Sequence, residues 1–355
     1  MEKYTPYSEL KIFHHTDCIK GFLEGQRVSP IYIRIKPTNV CNQRCYYCAY
    51  ADDSLFDGRI VDHRESIPWE IMKNTLYEMK EMGVKAVTFS GGGEPLCYHS
   101  IIDALHTVYD LGIDYSMITN GQALMGVVAD SLKKAKWIRI SFDSARKETY
   151  EEIRGANTYN QILSNIENFA QTKDKACTLG INCVITHKNA NEIFEICKLV
   201  KNLGVDNIKL SPILVREGEK AYHNIIKETV MNQIAEAKSE LEDNKFRIID
   251  KYSNDIALDD LYEKEYCHCY VQNFFAVIAA DSKVYRCHQR AYTKAGEIGD
   301  LQKRSFKEIW YSQETIDQVN SFNPKEECKF RCAFDERNRL LNDFVNIDKN
   351  HVNFI

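Results

Sequence analysis

The sequence predicts an α/β protein: a parallel sheet crossed by helices, followed by a smaller cysteine-rich unit. Two observations carry the first part. Short apolar strand patterns alternate with helical patterns from residue 31 to residue 211, and the connections between them are of crossover length. Such alternation implies parallel strands with right-handed crossovers. Six such units fit either an open doubly wound sheet or an incomplete barrel, and periodicity does not choose between them. A third observation marks the second unit. Of the 13 cysteines, Cys267, Cys269, Cys287, Cys328 and Cys332 crowd into one late stretch.

The elements follow in order. Residues 1–29 form an N-terminal extension without a clear pattern. Ile31-Tyr-Ile-Arg-Ile35 alternates with period two and places Ile31, Ile33 and Ile35 on one face of a strand. Residues 51–66 are polar and irregular. Ser66 ahead of Pro68 reads as a helix N-cap, and Trp69, Met72, Leu76 and Met79 follow at helical spacing until Gly83 stops the run. Further strands are expected over 84–90, 113–118, 137–142, 179–186 and 207–211. Helices are expected over 101–111, 123–134, 147–153, 159–171 and 190–203. Residues 30–215 thus make one core. Residues 216–265 are charge-rich with one apolar helical face (Ile226, Val230, Ile234, Ala237, Leu241) and read as a helical connector. Residues 266–335 hold the late cysteines and a hairpin over 275–287 that turns at Asp281-Ser282. Residues 336–355 are a tail.

The chain of 355 residues carries a net charge of −5, and 44% of it is apolar. Its one short basic run, Lys133-Lys134-Ala-Lys136, is no stripe for nucleic acid, and no run is long enough to span a bilayer. The expectation is a cytoplasmic protein without nucleic-acid or membrane partners. With no signal-peptide core at the N-terminus, the cysteines read as reduced thiols and metal ligands, not disulfides.

Chemistry concentrates in three motifs. Cys41-Asn-Gln-Arg-Cys45-Tyr-Tyr-Cys48 leaves the end of the first strand. Three thiolates on so short a loop can hold a metal ion or an iron–sulfur cluster; zinc sites more often use CxxC pairs and four ligands. Ser90-Gly-Gly-Gly-Glu94-Pro95 ends the next strand, at the edge where α/β folds place ligands. Consecutive glycines admit close backbone approach. Cys269 and Cys287 flank the late hairpin, and Cys328-Lys-Phe-Arg-Cys332 adds two thiols that can complete a second cluster or, with His268 or His288, a zinc knuckle.

The order of CxxxCxxC loop, then Gly-Gly-Glu-Pro loop, resembles the radical S-adenosylmethionine (radical SAM) enzymes over about residues 30–215. The resemblance implies a partial (β/α)6 barrel in which Cys41, Cys45 and Cys48 ligate a 4Fe–4S cluster whose fourth iron is open to SAM. Gly92, Gly93 and Glu94 would meet the SAM amino group, and Tyr47 would lie near the adenine. Asn120, Ser141, Asp143 and Arg154 end later strands, or follow them, where that family contacts SAM. The late cysteines resemble the SPASM/twitch extension. Its hairpin has the form Gly-x4-Cys; here Ser282 stands in the glycine position. With fewer cysteines than a full SPASM domain, the expectation is one auxiliary 4Fe–4S cluster on Cys269, Cys287, Cys328 and Cys332, Cys267 being the alternative to Cys269. Cys97, just past the glycine loop, is a candidate hydrogen-atom donor. The function implied is reductive cleavage of SAM and hydrogen abstraction from a small molecule such as a sugar, aminocyclitol or nucleotide sugar. A flavodoxin or ferredoxin would supply the electron, and the auxiliary cluster would make the net reaction an oxidation. A ribosomal-peptide maturase or epimerase, and a non-catalytic electron carrier, are the alternatives.

Overall fold

The computed structural model describes residues 7–51, 58–214, 219–256, 263–330 and 332–354. Parts of the N-terminal extension, the connector and the tail lie outside these residues. Ten strands form one sheet: β1 (Tyr32–Ile35), β2 (Ala86–Phe89), β3 (Asp114–Thr119), β4 (Trp137–Ser141), β5 (Thr178–Ile185), β6 (Asn207–Pro212), β7 (Arg247–Asp250), β8 (Phe275–Ile278), β9 (Lys283–Tyr285) and β10 (Glu297–Asp300). Their order is β10-β9-β8-β1-β2-β3-β4-β5-β6-β7, parallel from β8 through to β7 and antiparallel from β8 to β10.

One face of every central strand is apolar. Ile33, Val87, Met117, Ile138, Ile181 and Ile208 are all at most 1% exposed. They pack against Met72, Leu76, Leu105, Ile162 and Ile196 from the crossover helices, in one continuous core. The opposite face is polar: Arg34 pairs in register with Thr88, Thr88 with Ser116, and Asn182 with Lys209. A flat parallel sheet covered by helices on both sides would read as unbroken apolar runs. Here the alternation persists because the second face lines a lumen. Lys188, just past β5, has its ammonium 5.3 Å from the ring centroid of Tyr46 in the loop after β1, although four strand positions separate those strands. The sheet is therefore curled into an open barrel. Near one end of it, Tyr7 bonds Asn207 at 3.4 Å and also meets Arg139.

Two expectations need correction. The stretch 216–265 is more than a helical connector, because β7 lies within it and extends the parallel sheet beside β6. The hairpin of the cysteine-rich unit joins the same sheet: β8 pairs with β1, so that unit grows directly from the barrel. Ser66 does not cap the first crossover helix, Trp69–Met82; Pro68 holds that place, and the Ser66 hydroxyl bonds Thr38 at 2.7 Å. Gly83 does end that helix, with φ 81°. Among the described residues no helix is long and apolar enough to cross a membrane.

Candidate active site

The cysteine loop is rooted by backbone contacts to the glycine loop. Gly93 N–H donates to Thr38 O and Glu94 N–H to Val40 O, both at 2.9 Å. A Cβ on Gly93 would come within 2.2 Å of Val40 O, and one on Gly92 within 2.0 Å of Asn39 Oδ1. The glycines are thus needed for the approach of one loop backbone to the other. Glu94 is 4% exposed, and its carboxylate accepts from Leu96 N (3.0 Å), Thr119 Oγ1 (2.5 Å) and Asn120 N (2.7 Å). Its side chain joins the ends of β2 and β3. Asn120 donates in turn to Asn42 Oδ1 at 2.6 Å, inside the cysteine loop. Burial raises the Glu94 carboxyl above its ordinary range against the pull of these donors.

A second anchor comes from the helix Lys147–Arg154. Arg44 N–H donates to Arg154 O at 3.0 Å and Tyr46 N–H to Ile153 O at 3.2 Å. Gly155, at φ +60°, ends that helix where a Cβ would meet Arg44 O at 2.7 Å. The Arg154 guanidinium pairs with Asp143 at 2.7 Å and donates to Cys45 Sγ at 3.6 Å. Tyr47 Oη donates to Asp143 Oδ2 at 2.6 Å, and Val184 N–H to Oδ1 at 2.9 Å. Asp143 is fully buried. Its carboxylate holds Arg154 and Tyr47 against the loop. Burial alone would lower the Arg154 pKa, but Asp143 raises it well above the ordinary value and keeps a full positive charge beside Cys45. Ser141 is half-buried on β4. Cys97 accepts from the Asn42 backbone, which puts it beside the cysteine loop.

The late cysteines come from three separate segments. Cys269, Cys287, Cys328 and Cys332 line one small cavity together with Lys264, Arg286 and no carboxylate. Each of three sulfurs has an N–H donor: Asn338 Nδ2 to Cys269 at 3.5 Å, Arg290 N to Cys287 at 3.4 Å, and Phe334 N to Cys332 at 3.3 Å. Cys267 is exposed and lies outside this lining. Desolvation and neighbouring thiols push the Cys269 thiol up to about 12. Four thiols lining one cavity, three of them accepting N–H groups and with Arg286 beside them, form a donor set of the kind an anionic iron–sulfur centre uses. In the first loop, desolvation of its sulfur pushes Cys41 up to about 12, with Glu94, Cys45 and Cys48 adding to the effect, so the three thiols share one neighbourhood.

A profile of the radical SAM superfamily matches residues 35–200, and one of the SPASM iron–sulfur cluster-binding domain matches residues 267–333. This chain is a radical SAM protein with a SPASM domain. Its cofactors are accordingly the SAM-binding 4Fe–4S cluster, SAM itself and an auxiliary iron–sulfur centre. Among curated relatives, a GTP 3',8-cyclase of Clostridium perfringens (strain SM101 / Type A) is 26% identical over 218 residues, 60% of this chain and 65% of that protein. One from Aliarcobacter butzleri (strain RM4018) is 31% identical over 188 residues, 51% of this chain and 54% of that protein. The match therefore spans less than two thirds of either relative. Among solved structures, Streptococcus suis SuiB bound to S-adenosylmethionine covers 91% of this chain and 75% of its own, with TM-score 0.64 and 17% identity. Native anSMEcpe with bound AdoMet covers 86% and 87%, with TM-score 0.61 and 21% identity. These two likenesses are of fold.

Sequence reasoning missed the residues that join the two cysteine regions of this radical SAM protein. Arg59 donates to Ala49 O at 3.1 Å, next to Cys48, and to Gln289 O at 2.6 Å, two residues past Cys287. Tyr292 (φ 64°) bonds Asn39 across the same gap. Lys36 is fully buried between Tyr50 and Tyr292. One signal was available: Arg34 and Lys36 interrupt an otherwise apolar buried strand.

Proposed function

We propose that this radical SAM protein is an oxidoreductase acting on a small molecule. The observation supporting this most directly is the bridge made by Arg59, which ties the Cys48 end of one cysteine set to the Cys287 end of the other around one lumen. A substrate in that lumen would be reached from both sides. Cys41, Cys45 and Cys48 would hold the first cluster, which would supply one-electron reduction of SAM, and Cys269, Cys287, Cys328 and Cys332 would hold the auxiliary cluster, which would supply an electron acceptor. The chain's own residues position and shield. Arg154 holds a positive charge at Cys45, Glu94 fixes the spacing of two loops, and Tyr50 and Tyr292 wall the lumen against water that would quench a radical. Tyr47, Gly92, Gly93, Asn120, Ser141 and Arg154 frame the SAM side. A flavodoxin- or ferredoxin-type protein is the electron donor in this reading.

A peptide substrate is the second reading. It is favoured by the extent of the likeness to SuiB, whose structure bound to precursor peptide SuiA covers 90% of this chain at TM-score 0.63.

The test is anaerobic reconstitution, reduction and addition of SAM. Release of 5'-deoxyadenosine and about eight irons per chain are expected. Complete absence of 5'-deoxyadenosine would sink the radical reading in favour of an electron carrier, and about four irons would sink the auxiliary cluster. Deuterium transfer into 5'-deoxyadenosine from labelled small molecules or peptides then decides between the two substrates.

A further inference from the structure

The lumen is cationic to a degree that the SAM site does not explain. Lys36, directly after β1, is 0% exposed. Its ammonium donates to Tyr50 Oη at 2.8 Å and lies 4.3 Å and 5.0 Å from the ring centroids of Tyr50 and Tyr292. Arg34 sits two residues earlier on the same face, and its buried Nε has no hydrogen-bond partner. The groups acting most strongly on Arg34 are the phenols of Tyr32 and Tyr50. Among the described residues neither Arg34 nor Lys36 pairs with a carboxylate. Arg59 crowds the same space: Lys36 is lowered by burial first, then by Arg59 and Arg34, against the raising pull of Tyr50. The Arg59 guanidinium lies 5.1 Å from the centroid of the same Tyr50 ring.

A buried ammonium or guanidinium without an anion is expensive to keep, whereas an apolar residue of the same volume is neutral or stabilising. Cations retained under that penalty mark a place where an anion arrives from outside. This place lies on the β8–β1 side of the cysteine loop. The Asp143–Arg154 pair follows β4, three strands further on.

We propose that the lumen binds an oxyanion group, phosphate or carboxylate, of the small-molecule substrate, with Lys36 and Arg34 as its anchors. The proposal deepens the small-molecule reading above and rests on it for the word substrate. Tyr50 orients Lys36, and the planar guanidinium of Arg34 suits two-point contact with an oxyanion. Such an anchor would hold a C–H bond of the same molecule between the two cysteine sets.

The test is calorimetric titration of the reconstituted holoenzyme with sodium pyrophosphate and, separately, sodium citrate, against sodium chloride at matched ionic strength. Each is run with and without saturating SAM. Saturable binding of at least one oxyanion is expected, undiminished by SAM, and the stronger arm distinguishes phosphate from carboxylate. Lys36→Met should weaken it by about tenfold or more while leaving the melting temperature of the ligand-free protein equal or higher. Arg34→Gln should weaken it in parallel, and Lys198→Met, on the exposed face of a helix, should not. No saturable binding of either oxyanion, competition by SAM, or equal binding in Lys36→Met each overturns the proposal. Oxyanion binding without 5'-deoxyadenosine release would leave this site standing and remove the radical reading. Release without oxyanion binding would remove this inference alone.

Discussion

The two cysteine sets solve the problem of holding thiols in opposite ways. Cys41, Cys45 and Cys48 lie within one loop, and Cys41 is exposed. The loop holds its shape through contacts outside itself: Thr38 and Val40 to the glycine loop, Arg44 and Tyr46 to the end of the helix Lys147–Arg154, and Cys45 to Arg154. Cys269, Cys287, Cys328 and Cys332 come from segments far apart in sequence, converge on one cavity, and receive N–H groups from their own surroundings. In the proposed reading the first set would give three thiols to a cluster and leave its fourth iron for SAM, and the second would give four, so that a metal there would cross-link the unit that carries it.

The largest test of this contrast is to remove one cysteine from each set. Cys45→Ala should abolish 5'-deoxyadenosine release with little change in melting temperature, because the scaffold around the loop persists. Cys328→Ala should lower the melting temperature measurably while SAM cleavage without substrate continues. In both variants chemical iron analysis should fall by about four per chain.

Breaking the scaffold of the open loop comes next. Arg154→Met strands the fully buried Asp143 carboxylate and should cost about 3–5 kcal/mol in urea unfolding. The double variant Asp143→Asn with Arg154→Met should recover part of that loss, since neither charge is then left alone. Additive losses would show that the pair is not coupled.

Gly155→Ala should cost about 1–3 kcal/mol by the same measurement, from left-handed backbone together with contact to Arg44 O. It should also slow SAM cleavage, because the helix end that it distorts holds the cysteine loop.

The smallest effect sharpens the closed set. Ser282 occupies φ 61° in the three-residue turn between β8 and β9, where Ser282 N–H bonds Ala279 O at 2.9 Å and Ala279 N–H bonds Lys283 O at 3.0 Å. That is the left-handed position such a turn reserves for glycine. Ser282→Gly should therefore stabilise the protein by about 1 kcal/mol in urea unfolding.

What the sequence determined by itself was whatever local spacing encodes. Strand and helix periods located β1 to β6 and their crossovers, because a buried face repeats every two or every 3.6 residues regardless of partner. The CxxxCxxC and Gly-Gly-Gly-Glu-Pro stretches were legible for the same reason: each is a short loop whose chemistry needs neighbours in the chain. β7 was hidden because Arg247–Asp250, in which only Ile248 is buried, shows no apolar alternation among its charged neighbours. The pairing of β8 with β1 was hidden because strand order is a tertiary property. The same holds for the partners of Glu94 and Asp143, because only the folded chain brings Thr119 and Asn120 to the one and Tyr47 and Arg154 to the other. Curling of the sheet did the rest. By bringing Arg34, Lys36 and Arg59 together around Tyr50, it gathered basic residues that no spacing along the chain could reveal as neighbours.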